Sequence, residues 1–314
     1  MLHRLAPVCD RRPRNVRPFW TVTLPRRTRP NLIRAVGRLP ERVKQALRDA
    51  YVAARVTSDV RSLRTYIRLN RIAHHEGSGG RAVGLRLRPL GGRRVLVRPS
   101  TSDVDTVWGT FARGYHRPPR ELGARPPSVI FDVGANIGLT MADLAVRFPQ
   151  ARLVGIELDA DNVQLARANV ASWADRCEVV HAAAWTSDAE AFYAPLPGHT
   201  AGHRLGGTGA ASPAGTVRVP ALSLDALLDR HAQGARVDYL KMDVEGAERA
   251  LLRQATEWAG RVACINVEVH DPYGVEECQH DLRALGFETR TDPRHGGCVI
   301  GLRLGEMNDD RWRT

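Results

Sequence analysis

Apolar residues recur at three- and four-residue steps from about Glu41 to His74, through Val43, Leu47, Ala50 and Ala54 and then Val60, Leu63 and Ile67. That spacing predicts helix, with Pro40 at a favoured entry position. Gly77-Ser78-Gly79-Gly80 then reads as a flexible joint. Leu85–Arg88 and Val95–Val97 flank Gly91-Gly92, a hairpin pattern. From Ser128 onward strand-like and helix-like stretches alternate. Strands are predicted at Val129–Val133, Arg152–Leu158, Glu178–Ala183, Val237–Val244 and Arg261–His270. Helices are predicted at Leu139–Phe148, Ala160–Trp173, Leu224–His231, Ala247–Trp258 and Val275–Leu285. Phe287–Thr291 and Cys298–Leu304 look like a closing hairpin. Repeated strand–helix units predict an α/β fold, Rossmann-like, with a mainly parallel sheet covered on both faces. The final hairpin requires an antiparallel strand. The long stretch Tyr193–Gly215, rich in Gly, Pro, Ala and Ser, is expected to be a mobile segment near the acceptor pocket.

Composition narrows the function. The chain has 314 residues, 43% hydrophobic and 25% charged, which excludes a disordered or collagen-like protein. Five scattered cysteines form no zinc or disulfide pattern. No apolar run approaches the roughly 18 residues of a membrane span, and no apolar signal segment is visible, so a cytoplasmic location is expected. The net charge is +12. Residues 1–80 carry 18 Lys+Arg against 5 Asp+Glu, and the rest is nearly balanced. The basicity therefore belongs to an N-terminal extension, and nucleic acid is a disfavoured partner for the main domain. Residues 1–38 read as a disordered Arg/Pro-rich tail, and 39–80 as a helical extension that packs on the main domain or on a second copy in a homo-oligomer. Only Lys44 and Lys241 are lysines, against 44 arginines, which singles out Lys241.

Phe131-Asp132-Val133-Gly134-Ala135-Asn136-Ile137-Gly138 joins the first strand of the alternating region to its helix. Gly134 and Gly138 permit a sharp turn and close ligand approach. Glu157 ends the second strand, where an acidic residue bonds ribose hydroxyls in nucleotide sites. The spacing is neither G-x-G-x-x-G nor a P-loop. An acid before Gly-x-x-x-Gly suits S-adenosylmethionine, which has no phosphate and carries an ammonium. Asp132, Gly134, Ala135, Asn136, Gly138 and Glu157 are thus candidate cofactor residues, with Ala184, after the third strand, flanking the adenine.

Three stretches resemble the FkbM family of S-adenosylmethionine-dependent methyltransferases. They are Arg98–Asp103 with Trp108–Tyr115 and the Asp132–Gly138 loop, Leu224–Leu227 with Val237–Glu248, and Val267-Glu268-Val269-His270. Lys241-Met242-Asp243-Val244-Glu245-Gly246-Ala247-Glu248 is the most specific of them. Glu157-Leu158-Asp159 departs from the Glu-Pro that the family more often has. The resemblance implies a seven-stranded methyltransferase sheet with an antiparallel last strand, in a domain over 81–305, with 306–314 a tail. It also implies a hydroxyl acceptor on a small molecule, natural product or sugar.

An oxygen acceptor must lose a proton as it is methylated. Tyr239, Lys241 and Asp243 share one strand face, as do Asn266, Glu268 and His270 on the next strand. His270 is expected to be a neutral general base. Asp243 or Glu245 would orient the acceptor or cofactor, and Lys241 would pair with Glu245 or Glu268. Asp243 and Glu245 also suit a divalent cation, but with no third ligand apparent no metal is assigned. The competing readings are a nucleic-acid methyltransferase guided by the basic arm and a non-catalytic binding module. The former lacks an Asn/Asp-Pro-Pro-aromatic run, and the latter sits poorly with the intact loop. A NAD-dependent dehydrogenase ranks last.

Overall fold

The computed structural model describes residues 40–72, 80–120, 122, 126–195, 205–208 and 214–303. Cys9, the N-terminal tail, most of the glycine joint, the C-terminal tail and parts of the Tyr193–Gly215 stretch lie outside them. The chain divides into two compact units, Met1–Leu47 and Arg48–Thr314. The described part of the first is the opening of helix α1 (Glu41–Val56), entered where Val43 N–H donates to the Pro40 carbonyl at 2.9 Å.

The helical stretch predicted as one run is two. Helix α2 (Val60–Ile72) starts after a break at Thr57–Asp59. The Asp59 carboxylate accepts from the Ser62 amide at 2.8 Å and its hydroxyl at 3.0 Å. An Asp three residues before a Ser is a helix-start signal, overlooked because the apolar spacing runs on through it. Ala53, Val56, Tyr66 and Leu69 share one buried cluster with Leu85, Leu87 and Leu90. All of them belong to the compact unit Arg48–Thr314. Strands β1 (Val83–Leu87) and β2 (Arg93–Val97) form the expected antiparallel hairpin. A short helix α3 (Asp103–Val107) and a π-helical turn (Trp108–Arg113) follow, neither of them predicted.

The central sheet uses β3 (Val129–Val133), β4 (Arg152–Glu157), β5 (Cys177–His181), β10 (Val237–Met242), β11 (Val262–Glu268), β12 (Glu288–Asp292) and β13 (His295–Leu302), in the order β12-β13-β11-β10-β3-β4-β5. β13 runs antiparallel to both neighbours and the other pairings are parallel. This is the mainly parallel seven-stranded sheet with an antiparallel last strand. Strand residues alternate between two apolar layers. Ile130, Leu153, Tyr239 and Cys264 face the layer holding helices α4 (Leu139–Arg147) and α5 (Ala160–Val170). Phe131, Val154, Leu240 and Ile265 face α6 (Leu224–His231), α7 (Glu248–Arg253) and α8 (Val275–Ala284). Among the described residues, no helix is long and apolar enough to cross a membrane.

A second sheet was not anticipated. Strands β6 (Ala183–Trp185), β7 (Ala189–Tyr193), β8 (Leu205–Thr208) and β9 (Val217–Ser223) pair in the order β6-β9-β7-β8. Leu205–Thr208 falls inside the stretch expected to be a loop; it is bonded to β7. Small residues hid this sheet, because Ala183, Ala191 and Ala221 form much of its buried cluster.

Strand order reverses beside β3: the chain leaves it for β4 and β5, then returns to its other side as β10. Ligands bind α/β sheets at such a switch point, beyond the carboxyl ends of the strands. There the β3 loop and the turn after β10 lie almost in contact. Gly134 has φ +83°, and a Cβ on it would stand 1.8 Å from the Asp243 carbonyl oxygen. Gly134→Ala is expected to cost roughly 2–4 kcal/mol of stability, read as a lowered denaturant midpoint; an unchanged midpoint would refute this close approach. Substitution here tests the fold before it tests any ligand.

Candidate active site

By the period-two rule, Asp132, Glu157, Lys241 and Glu268 point to the α4/α5 face of the sheet at or near their strand ends. Lys241 and Asp132 are direct partners across β10 and β3. The Lys241 Nζ lies 3.1 Å from Asp132 Oδ1 and 3.3 Å from Asp243 Oδ2, and donates to the Gly134 carbonyl. Lys241 is 3% exposed and Asp132 1%. Burial works against the Lys241 charge, but Asp132 and Asp243 more than offset it and hold the ammonium's pKa above its ordinary value. The pairing with Glu245 or Glu268 predicted for Lys241 is therefore replaced by one with Asp132 and Asp243. Asp132, expected to grip a ligand, instead holds Lys241.

The glycine loop is satisfied internally. Gly134 and Ala135 amides both donate to the Ile156 carbonyl at 2.9 Å, Asn136 donates to Glu157 Oε2 at 2.7 Å, and Gly138 donates to Ala135 at 2.8 Å. With these four amides engaged, the loop is no phosphate cradle, in keeping with a phosphate-free cofactor. Ala135 is buried in the core. Gly138 begins α4 in a left-handed conformation, and a Cβ there would meet Ala166 Cα at 3.0 Å. Ala184 is buried in the apolar cluster that also holds Val154 and Ile156. Ala135, Gly138 and Ala184 thus shape the fold around the loop. Gly134 and Asn136 are half-buried, and Asn136 Oδ1 has no hydrogen-bond partner.

Glu157 is 6% exposed. Its Oε1 accepts from the Asp159 amide at 2.9 Å and Asn162 Nδ2 at 3.3 Å. Burial pushes its carboxyl up to about 7, against the pull of those donors. A ribose hydroxyl can donate to the lone pair that Asn136 leaves on Oε2. Together with the orphaned Asn136 oxygen and the engaged loop amides, this set of acceptors fits the hydroxyl donors of an adenosyl group.

Across the switch point lies a group of imidazoles and carboxylates. His270 follows β11, and its Nδ1 is 2.8 Å from Oε1 of Glu248, a fully buried side chain. His270 Nε2 is 3.2 Å from Glu245 Oε2 and 3.7 Å from Asp243 Oδ1. Glu245 has φ +55°, a left-handed turn that carries its carboxylate toward the ring. Burial lowers the His270 pKa, but the Glu248 hydrogen bond and the charges of Asp243 and Glu245 outweigh it, to about 9. At neutral pH His270 therefore already carries the proton it was expected to accept, which corrects its assignment as a neutral base. Glu248 is more than a first-turn helix carboxylate, since its Oε1 also accepts from the Val244 and Gly246 amides.

Sequence reasoning missed His116. Its Nε2 lies 3.1 Å from Glu268 Oε2 and 3.9 Å from Asp243 Oδ2, and its carbonyl accepts from the Tyr239 hydroxyl at 2.8 Å. Burial raises the Glu268 carboxyl, but His116, His295 and His270 bring it down to about 2. His295 also stacks edge-on to Tyr115 at 4.4 Å and contacts Cys298. The π-helical turn delivers His116, and no motif marks it; its only signal was a lone histidine just after the Trp108–Tyr115 stretch.

Two outcomes follow. Lys241→Met should cost about 3–5 kcal/mol by leaving Asp132 buried and unpaired, measured by denaturant unfolding; a change under 1 kcal/mol would show the pair to be dispensable. Glu157 has a folded pKa above its unfolded value, so the native state binds the extra proton between about pH 4.5 and 7. Its contribution to stability is fully present below that window and lost as pH rises through it. Glu157→Gln should flatten this part of the stability–pH curve, and an unaltered slope would contradict the shift.

No curated protein sequence matches this chain. Among solved structures, a methyltransferase from Geobacter sulfurreducens is similar at 20% identity, with 59% of this chain and 76% of that one covered and a TM-score of 0.35. The fibrillarin pre-rRNA processing protein of Methanococcus jannaschii is similar at 12% identity, covering 74% and 85%, with a TM-score of 0.39. The model of the methyltransferase FkbM domain matches residues 132–289. That match covers half of the chain and runs from the glycine loop through the Lys241–Glu248 motif to β12, so the chain belongs to the FkbM methyltransferase domain family.

Proposed function

We propose that this methyltransferase uses S-adenosylmethionine and methylates a hydroxyl oxygen of a small molecule, natural product or sugar. When bound, the cofactor supplies an electrophilic methyl group on a sulfonium. Glu157 and Asn136 would hold its nucleoside through the free lone pairs described above. Lys241 keeps the loop and the turn after β10 in place.

The acceptor class rests on one observation, the crowding of Asp243, Glu245 and Glu268 at the carboxyl ends of β10 and β11. Clustered carboxylates repel a phosphate backbone and favour a neutral, hydroxyl-bearing acceptor. They also offer acceptors for the hydroxyl hydrogen, which orients an oxygen lone pair and takes the proton as the nucleophile commits. Asp243 and Glu245 fill this role, with their side chains 23% and 25% exposed. His270 is a positioning residue that draws both carboxylates to one ring nitrogen while Glu248 fixes the other.

Calorimetry should detect binding of S-adenosylmethionine and of its demethylated product, and Glu157→Gln should weaken both by about tenfold or more through loss of a charge-assisted hydrogen bond. A labelled-methyl assay over sugars, hydroxylated small molecules and RNA should place label in the hydroxylated acceptors. Absent cofactor binding, or label confined to RNA, would overturn the proposal.

A further inference from the structure

Three ligand atoms on two separate segments meet beside the switch point. His270 Nε2, one Glu245 oxygen and one Asp243 oxygen all lie within 4.8 Å of one another. A cation with bonds of about 2.0–2.3 Å to nitrogen and oxygen spaces adjacent ligand atoms roughly 3–4.5 Å apart. The separations of 3.2 Å and 3.7 Å from Nε2 fall in that range.

The hydrogen-bonding chemistry of the ring points the same way. His270 Nδ1 faces Glu248 Oε1, an acceptor, so its hydrogen is committed there. This is the outer carboxylate–histidine arrangement that turns the opposite ring nitrogen outward as a ligand. Glu248 is 0% exposed, and its Oε2 has no hydrogen-bond partner. Nε2 in turn faces two carboxylates. A ring nitrogen placed between two acceptor groups requires a positive species in the gap, either a proton or a metal ion. Among the described residues, Glu245 has His270 as its one ion-pair partner, whereas Asp132 and Asp243 share Lys241. The side chains of Asp243, Glu245 and His270 are 17–25% exposed, which leaves coordination positions open toward the crevice.

We propose that Asp243, Glu245 and His270 bind one divalent cation of the Mn2+ or Zn2+ kind, which displaces the Nε2 proton of His270 to solvent and whose open positions receive the acceptor hydroxyl. One imidazole with two carboxylates matches the mixed nitrogen–oxygen preference of such ions better than the all-oxygen sets of Ca2+. The role of the ion rests on the function proposed above; its binding does not. With the ion in place, the hydroxyl oxygen meets the metal instead of the two carboxylates, and its weakened O–H bond gives the proton to water at the crevice mouth.

The test uses the full chain, stripped with a chelator and titrated with Mn2+ alone while the free-ion EPR signal is followed. One ion per chain is expected, and Co2+ in its place should give visible d–d absorption. Asp243→Asn, Glu245→Gln and His270→Gln should each weaken binding by about tenfold or more, whereas the exposed Glu190→Gln should leave it unchanged. Circular dichroism confirms that each variant is folded. No stoichiometric binding of Mn2+ or Zn2+, or binding undiminished when Asp243→Asn and Glu245→Gln are combined, overturns the inference. Calorimetry with S-adenosylmethionine is run separately on the same sample. Cofactor binding without metal binding defeats only this inference, and metal binding without cofactor binding defeats only the proposed function.

Discussion

A single buried ammonium organises this site. Lys241 reaches from β10 to Asp132 on β3, to Asp243 on the turn beyond its own strand, and to the Gly134 carbonyl in the glycine loop. Asp132 and Gly134 lie on the β3 side of the switch point and Asp243 on the β10 side, so the ion pair fixes the loop and the turn to one another. A buried ion pair does not raise stability much by itself, because desolvation consumes most of its attraction. Its value here is positional. Neither carboxylate can relax away without leaving a charge unpaired, and the carbonyl of Gly134 is drawn against β10 in the same step.

Around that tie, the chemistry separates into two halves. On the β3–β4 side the loop satisfies its own amides and leaves acceptor lone pairs on Glu157 and Asn136, a surface for a phosphate-free nucleoside. On the β10–β11 side six acidic and histidine groups crowd together, each held by another. Glu248 fixes His270, His270 gathers Glu245 and Asp243, and His116 bonds Glu268. The arrangement depends on two non-glycine residues with positive φ, Glu245 and His116. Backbone held in this less favourable region marks where the chain gives local comfort up for side-chain placement.

The sequence made the frame of this molecule readable, for a physical reason. The central strands are buried on both faces, so Val129–Val133 and Val262–Val267 are nearly unbroken apolar runs, and their flanking helices carry regular apolar spacing. The site was readable where charge interrupts those runs at strand ends, as at Asp132, Glu157 and Lys241. Partnership was less accessible. Nothing in the spacing says that Lys241 turns to Asp132 instead of Glu268, because that choice is made by the parallel register of β10 on β3. His270 looked like a base because its neighbours' carboxylates could be counted but not aimed. His116 was invisible because it arrives on an irregular segment. The second sheet was hidden because alanine and glycine carry little pattern.

β3 and β10 are adjacent in space but more than a hundred residues apart in the chain. Asp238 underlines this by accepting from Ser128 and Val129 at the opposite end of the same strand pair. During synthesis the glycine loop leaves the ribosome long before Lys241 exists. Until then Asp132 has no ammonium to meet and cannot be buried cheaply, so the first three strands cannot close into their final form. The crevice is therefore completed by a long-range pairing, of the kind that slows folding.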